Sequence, residues 1–129
     1  MMKKKILVVD DEKSICQLLE NFLSQDYDII SFNTSSHGLD WLEENLPDLI
    51  ICDIEMPDKD GYEFLTRVRQ MGFTKHTPVI MLSAKAESKE RIKCFKLGAQ
   101  DYLIKPFNPE ELEEVIKKNL FPIYFSIEW

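Results

Sequence analysis

The chain has 129 residues, enough for one compact domain that buries about two-thirds of its unfolded surface. With 16 Lys and Arg against 23 Asp and Glu, the net charge is −7, which argues against the basic surface of a sequence-independent nucleic-acid binder. Apolar residues at 44% also rule against intrinsic disorder.

The first apolar run, Ile6-Leu7-Val8-Val9, reads as a buried strand and stops at Asp10-Asp11. It is too short for the apolar region of a signal peptide, and no run approaches the length of a membrane span. Ile15, Leu18, Leu19, Phe22 and Leu23 then follow helical spacing. A weaker strand, Asp28-Ile29-Ile30-Ser31-Phe32, precedes a second helix marked by Leu39, Leu42 and Leu46, with Trp41 off its stripe. Pro47 stands just ahead of the strand Leu49-Ile50-Ile51-Cys52, and Leu65 with Val68 marks a third helix. Pro78 precedes the strand Val79-Ile80-Met81-Leu82, and Ile92 with Phe95 marks a fourth helix closed by Gly98. The strand Tyr102-Leu103-Ile104 leads to Asn108-Pro109-Glu110-Glu111, an N-cap followed by proline at the first helical position. Leu112, Val115, Ile116 and Leu120 complete that fifth helix. Five strand–helix pairs with continuous apolar strands predict an α/β fold, a doubly wound parallel sheet with helices on both faces.

Cys16, Cys52 and Cys94 are odd in number, lack Cys-x-x-Cys spacing and sit in apolar segments. They read as small buried hydrophobes, and a cytoplasmic protein is expected. His37 and His76 are isolated and read as surface residues. Lys85, Lys89, Arg91, Lys93 and Lys96 crowd the fourth helix and its approach, as a solvated face or a partner surface.

Ligands of open α/β sheets bind beyond the carboxyl ends of the strands. Here those ends carry Asp10 and Asp11, Asp53, Ser83 and Lys105. Carboxylates gathered together raise one another's pKa unless a cation compensates, and an all-oxygen donor set favours Mg²⁺ or a similar ion. Magnesium keeps waters and takes phosphate oxygens readily, so such a site suits a metal together with a phosphoryl group.

Over residues 4 to about 120 the sequence resembles the receiver domain of two-component response regulators. The matching stretches are Ile6 to Asp11, Asp53-Ile54-Glu55-Met56-Pro57 with Asp60-Gly61, Ser83-Ala84, and Gly98 to Phe107. The resemblance implies a flavodoxin-like (βα)5 fold with strand order 2-1-3-4-5. It further implies that Asp53 accepts a phosphoryl group from a sensor histidine kinase or phosphotransfer protein. Asp11 and Asp53 would bind Mg²⁺ (or Mn²⁺) directly with the Glu55 backbone carbonyl, and Asp10 through water. Lys105 would pair with Asp53 at rest and with a phosphoryl oxygen after transfer, while Ser83 donates its hydroxyl to another. Lys105-Pro106 would be a cis bond. Drawing Ser83 inward would let Tyr102 rotate and change the surface of the fourth helix, fifth strand and fifth helix for a downstream target or output domain. A homodimer stays open, while direct nucleic-acid binding by this chain and membrane association are not expected. Glu55 and Lys85, each two residues past a site residue and opposite in charge, would pair at the mouth of the site and set the lifetime of the phosphorylated form.

Simpler readings compete with these. Asp10-Asp11 can serve as a helix cap, Ser83 as a turn hydroxyl and Tyr102 as core packing. A Mg²⁺-dependent phosphatase with an aspartyl-phosphate intermediate also joins a strand-end Asp to a metal. That class typically carries a second Asp two residues after its nucleophile, where this chain has Glu55. A receiver-like scaffold that is never phosphorylated is opposed by the intact Asp10, Asp11, Asp53, Ser83 and Lys105 set. Residues 1–120 thus form the expected receiver domain. The apolar tail, residues 121–129, reads as a docked segment, an interface or the start of an output domain.

Overall fold

The computed structural model describes residues 2–122. Its elements alternate: β1 (Lys5–Val9), α1 (Lys13–Leu23), β2 (Asp28–Phe32), α2 (Ser35–Leu42), β3 (Leu49–Asp53), α3 (Gly61–Gln70), β4 (Val79–Ser83), α4 (Ser88–Lys96), β5 (Asp101–Ile104) and α5 (Pro109–Leu120). The strands form one parallel sheet in the order β2-β1-β3-β4-β5, as expected.

Alternation of side chains along each strand explains why the strands read as unbroken apolar runs. Leu7, Val9, Ile50, Cys52, Val79 and Met81 face α2, α3 and α4, packing on Leu42, Phe64, Leu65, Val68 and Cys94. Ile6, Val8, Leu49, Ile51, Ile80 and Leu82 face the other way, onto Cys16, Leu19 and Leu23 of α1 and Leu112 and Ile116 of α5. Both faces of the central strands are therefore covered, and all three cysteines are buried and free.

Helix starts follow local chemistry. Asn108 accepts a hydrogen bond from the Glu110 amide at 2.8 Å, with Pro109 at the first turn. Asp60 and Thr34 cap α3 and α2 by accepting from Glu63 N and His37 N. Gly98 takes φ of 103° just after α4, a conformation that glycine adopts without strain.

Four apolar positions depart from their expected stripes. Ile92 and Phe95 are 51% and 48% exposed, and α4 buries Cys94 instead, with Leu97 packed beside it. The helix lies near the β5 edge, where the sheet is too narrow to cover both of its flanks. Leu46 is exposed because α2 ends at Leu42. Asn45 donates to the Trp41 carbonyl at that end, and a residue before proline disfavours helical backbone. Leu18 lies on the flank of α1 and is also exposed. His37 and His76 are at the surface, and Trp41 is half-buried against Phe32. Among the described residues no helix is long and apolar enough to cross a membrane.

Candidate functional site

Register brings the site together. Val9 pairs with Cys52, Asp53 with Leu82 and Ser83 with Ile104, so the residues that end β1, β3, β4 and β5 share one edge. Asp10, Asp53 and Ser83 are buried there, while Asp11 is exposed at the rim. Asp10 is anchored by its backbone: its carbonyl accepts from Asn33 Nδ2 at 2.9 Å, and its amide donates to the Phe32 carbonyl. The Gly61 amide donates to the Ile54 carbonyl at 2.7 Å. A Cβ at Gly61 would lie 2.4 Å from the Asp53 carbonyl oxygen, so only glycine lets α3 start this close to the end of β3.

The Lys105 ammonium is the hub of the charges. It lies 2.8 Å from Asp10 Oδ2, 2.9 Å from Glu12 Oε1 and 3.3 Å from Asp53 Oδ1. The expected pairing with Asp53 is thus the longest of three. Burial alone would lower the Lys105 pKa, but these carboxylates outweigh it and push it up. Burial raises Asp10 despite the opposing Lys105 ammonium. Asp53 rises to about 7, first through burial and then through the charge of Asp10, with Lys105 acting against both. The resting site therefore holds more negative charge than one ammonium stabilises. The Lys105–Pro106 bond is cis.

The acidic cluster fits a hard cation. Carboxylate oxygens of Asp10, Asp11, Glu12 and Asp53 lie within 4.8 Å of one another. Asp10 Oδ2 is buried and accepts no aligned hydrogen bond, even with the ammonium 2.8 Å away. A buried, under-satisfied carboxylate oxygen in an all-oxygen donor set suits an ion such as Mg²⁺.

Ser83 Oγ accepts from the Lys85 amide at 3.0 Å, closing a turn at the end of β4. Tyr102 packs its half-buried ring against the α2–α4 side of the core. Its hydroxyl donates to the Lys85 carbonyl at 2.6 Å, so ring and loop are joined through one residue. Glu55 and Lys85 are both exposed, and among the described residues no ion pair joins them, contrary to the pairing expected. Sequence reasoning missed Glu12. It stands at the N-cap position of α1 but makes no side-chain cap bond, which frees its carboxylate for Lys105. A third acid directly after Asp10-Asp11 was the available signal.

The model of the response regulator receiver domain matches residues 6–117. The chain belongs to this family. It is 41% identical over 117 residues to the alkaline phosphatase synthesis transcriptional regulatory protein PhoP of Bacillus subtilis, covering 90% of this chain and 48% of that protein. It is 38% identical over 120 residues to the regulatory protein VanRc of Enterococcus gallinarum, covering 92% of this chain and 51% of that protein. The crystal structure of a putative response regulator from Chloroflexus aurantiacus superposes with a TM-score of 0.87 at 38% identity, covering 92% of this chain and 98% of that one. The chain spans about half the length of the curated relatives it matches. As a receiver domain of two-component response regulators, it is a signalling switch.

Proposed function

We propose that Asp53 is the phosphoacceptor. Its carboxylate oxygen attacks the phosphorus of a phosphohistidine on a sensor histidine kinase or phosphotransfer protein, the P–N bond breaks, and an acyl phosphate forms. The observation that carries this reading is the placement of the buried Asp53 carboxylate, 3.3 Å from Lys105 and grouped with the carboxylates of Asp10, Asp11 and Glu12. Asp11, Asp53 and the Glu55 backbone carbonyl would hold Mg²⁺ or Mn²⁺, with Asp10 acting through water. When bound, the metal neutralises charge on the phosphoryl oxygens. Lys105 leaves its carboxylate partners to pair with one phosphoryl oxygen, and Ser83 turns its hydroxyl from the Lys85 amide to another.

That turn reaches Lys85, whose carbonyl holds Tyr102, and so carries the change to the face formed by α4, β5 and α5. Glu55 and Lys85 flank the mouth of the site and tune access of water. Residues 1–120 constitute the receiver unit, working in the cytoplasm, with an output domain or a separate protein as its target. PhoP of Bacillus subtilis is a transcriptional regulatory protein, which favours control of transcription by that output.

The test uses acetyl phosphate as donor and intact mass as readout. The protein should gain the mass of one phosphoryl group only with Mg²⁺ present, and Asp53→Asn should gain none. An adduct that persists in Asp53→Asn would overturn the assignment.

A further inference from the structure

The segment between β3 and α3, residues 54–60, supplies the proposed Glu55 carbonyl ligand, yet its two ends alone would leave it loosely held. At one end the Ile54 amide donates to the Leu82 carbonyl at 3.1 Å, and at the other the Gly61 amide donates to the Ile54 carbonyl. Between them, a clamp reaches across to the start of α2. Asp58 Oδ2 accepts from the Ser36 amide at 3.0 Å and from Ser36 Oγ at 2.9 Å, and Asp58 Oδ1 faces the Ser35 amide at 3.4 Å. Ser35, fully buried, donates its hydroxyl to the Lys59 carbonyl at 2.6 Å. Lys59 Nζ returns a bond to Ser36 Oγ at 3.2 Å.

Helix α2 does not need this clamp for its own cap. Thr34 Oγ1 already accepts from the His37 amide. The remaining free amides, of Ser35 and Ser36, are met by a carboxylate from 22 residues further along the chain. The positive end of the α2 dipole favours that charge, and burial of Met56 pins the same segment from beneath.

We propose that Asp58, acting with Ser35 and Ser36, is a positioning residue for the metal site: it locks residues 55–59 onto α2 so that the Glu55 carbonyl is ordered before a cation arrives. The inference rests on the proposed reading of Glu55 as a backbone ligand. A ligand loop ordered in advance binds its ion without a further loss of chain entropy, and losing supports of this kind weakens metal sites by about tenfold.

Two readouts test it on the full chain: Mg²⁺ affinity by calorimetry, and amide hydrogen exchange of residues 55–59 in the metal-free protein. Asp58→Ala is expected to weaken Mg²⁺ binding about tenfold and to speed exchange in the loop. Asp58→Asn, which keeps an acceptor oxygen, should restore most of both. Asn108→Ala removes the α5 cap far from this loop and serves as a control for general destabilisation, with Mg²⁺ affinity unchanged. If Asp58→Ala does not fold, Ser36→Ala removes one hydroxyl and is read in the same way. An Asp58→Ala protein that melts lower but keeps Mg²⁺ affinity and loop exchange would overturn the proposal and leave Asp58 a simple cap. If the unmodified protein binds no Mg²⁺, the metal reading fails. Loop exchange then decides this inference, with faster exchange in Asp58→Ala supporting the clamp and unchanged exchange overturning it.

Discussion

Replacing Asp53 by Asn should stabilise the metal-free protein at neutral and alkaline pH while abolishing phosphorylation. The carboxylate is buried, and its pKa rises from 3.8 to about 7 through desolvation and the neighbouring charge of Asp10. A raised carboxylate pKa means that the folded state binds the proton more tightly than the unfolded chain. Stability from this group is therefore fully present below about pH 4 and is lost as pH rises through about 7. Three pKa units correspond to about 4 kcal/mol, a ceiling because Asp10 and Asp53 share one ammonium and titrate together. About 2 kcal/mol is a realistic gain for Asn, which keeps the shape and removes the charge. Lys105 is not stranded, since Asp10 and Glu12 remain at 2.8 and 2.9 Å. Urea unfolding in EDTA at pH 8, 6.5 and 5 gives the measurement. The advantage of Asp53→Asn should be largest at pH 8 and shrink steadily toward pH 5. Added Mg²⁺ should narrow it by stabilising the unmodified protein more. An advantage that is absent at pH 8, or constant across pH, would refute the account of a strained carboxylate.

The remaining expectations concern the frame around the site. Gly61→Ala places a Cβ 2.4 Å from the Asp53 carbonyl oxygen and should cost about 3 kcal/mol in urea unfolding, whereas Gly72→Ala, with nothing within 4 Å, should stay within about 0.5 kcal/mol. Burial slightly opposes ionisation of Asp58, but bonds from Ser36 and the neighbouring amides hold its pKa at about 2. Its contribution is thus present above about pH 4 and lost as pH falls toward 2; acid unfolding of Asp58→Asn should start from lower stability and show a shallower slope there. The Tyr62 hydroxyl donates to Glu90, and Lys93 Nζ lies 3.9 Å above the Tyr62 ring. Tyr62→Phe should cost about 1 kcal/mol and speed amide exchange in α4 without changing the mass gained from acetyl phosphate.

The fold and the centre of the site were legible in the sequence for one reason: both depend on strands. Apolar runs such as Ile6-Leu7-Val8-Val9 announce strands covered on both faces, and parallel strands put their last residues on one edge. Asp10, Asp53, Ser83 and Lys105 could therefore be placed together by position alone. Side chains that act across elements left no such periodic trace. Glu12 meets Lys105 over a separation of 93 residues, and Asp58 meets Ser36 over 22. Arg69 likewise bonds the Gly98 carbonyl at 2.8 Å and Thr74 at 3.1 Å, tying the end of α4 to α3. The fourth helix misled for a related reason. Its stripe was read from Ile92 and Phe95 by size, but at the sheet edge the smaller Cys94 sits over the core.

That same weak seating makes α4 the element that the proposed phosphorylation of Asp53 would move. A local event shifts a two-state equilibrium only by the difference in free energy it makes between the states, about 1.4 kcal/mol for each tenfold. An element held by a large buried face would be beyond its reach. Helix α4 buries only Cys94 among its nine residues, and its other ties are polar: Tyr62 to Glu90, Lys93 over Tyr62, and Arg69 to Gly98. Each such tie is worth about 1 kcal/mol, the same order as the charge relief available at Asp53. The loop that feeds α4 is the one joined to Ser83 through the Lys85 amide and to Tyr102 through the Lys85 carbonyl. Magnitude and connectivity thus agree with the proposed switch: α4 and β5 would move first and reshape the face they share with α5, whereas α1, which buries three residues over the sheet centre, is held more firmly.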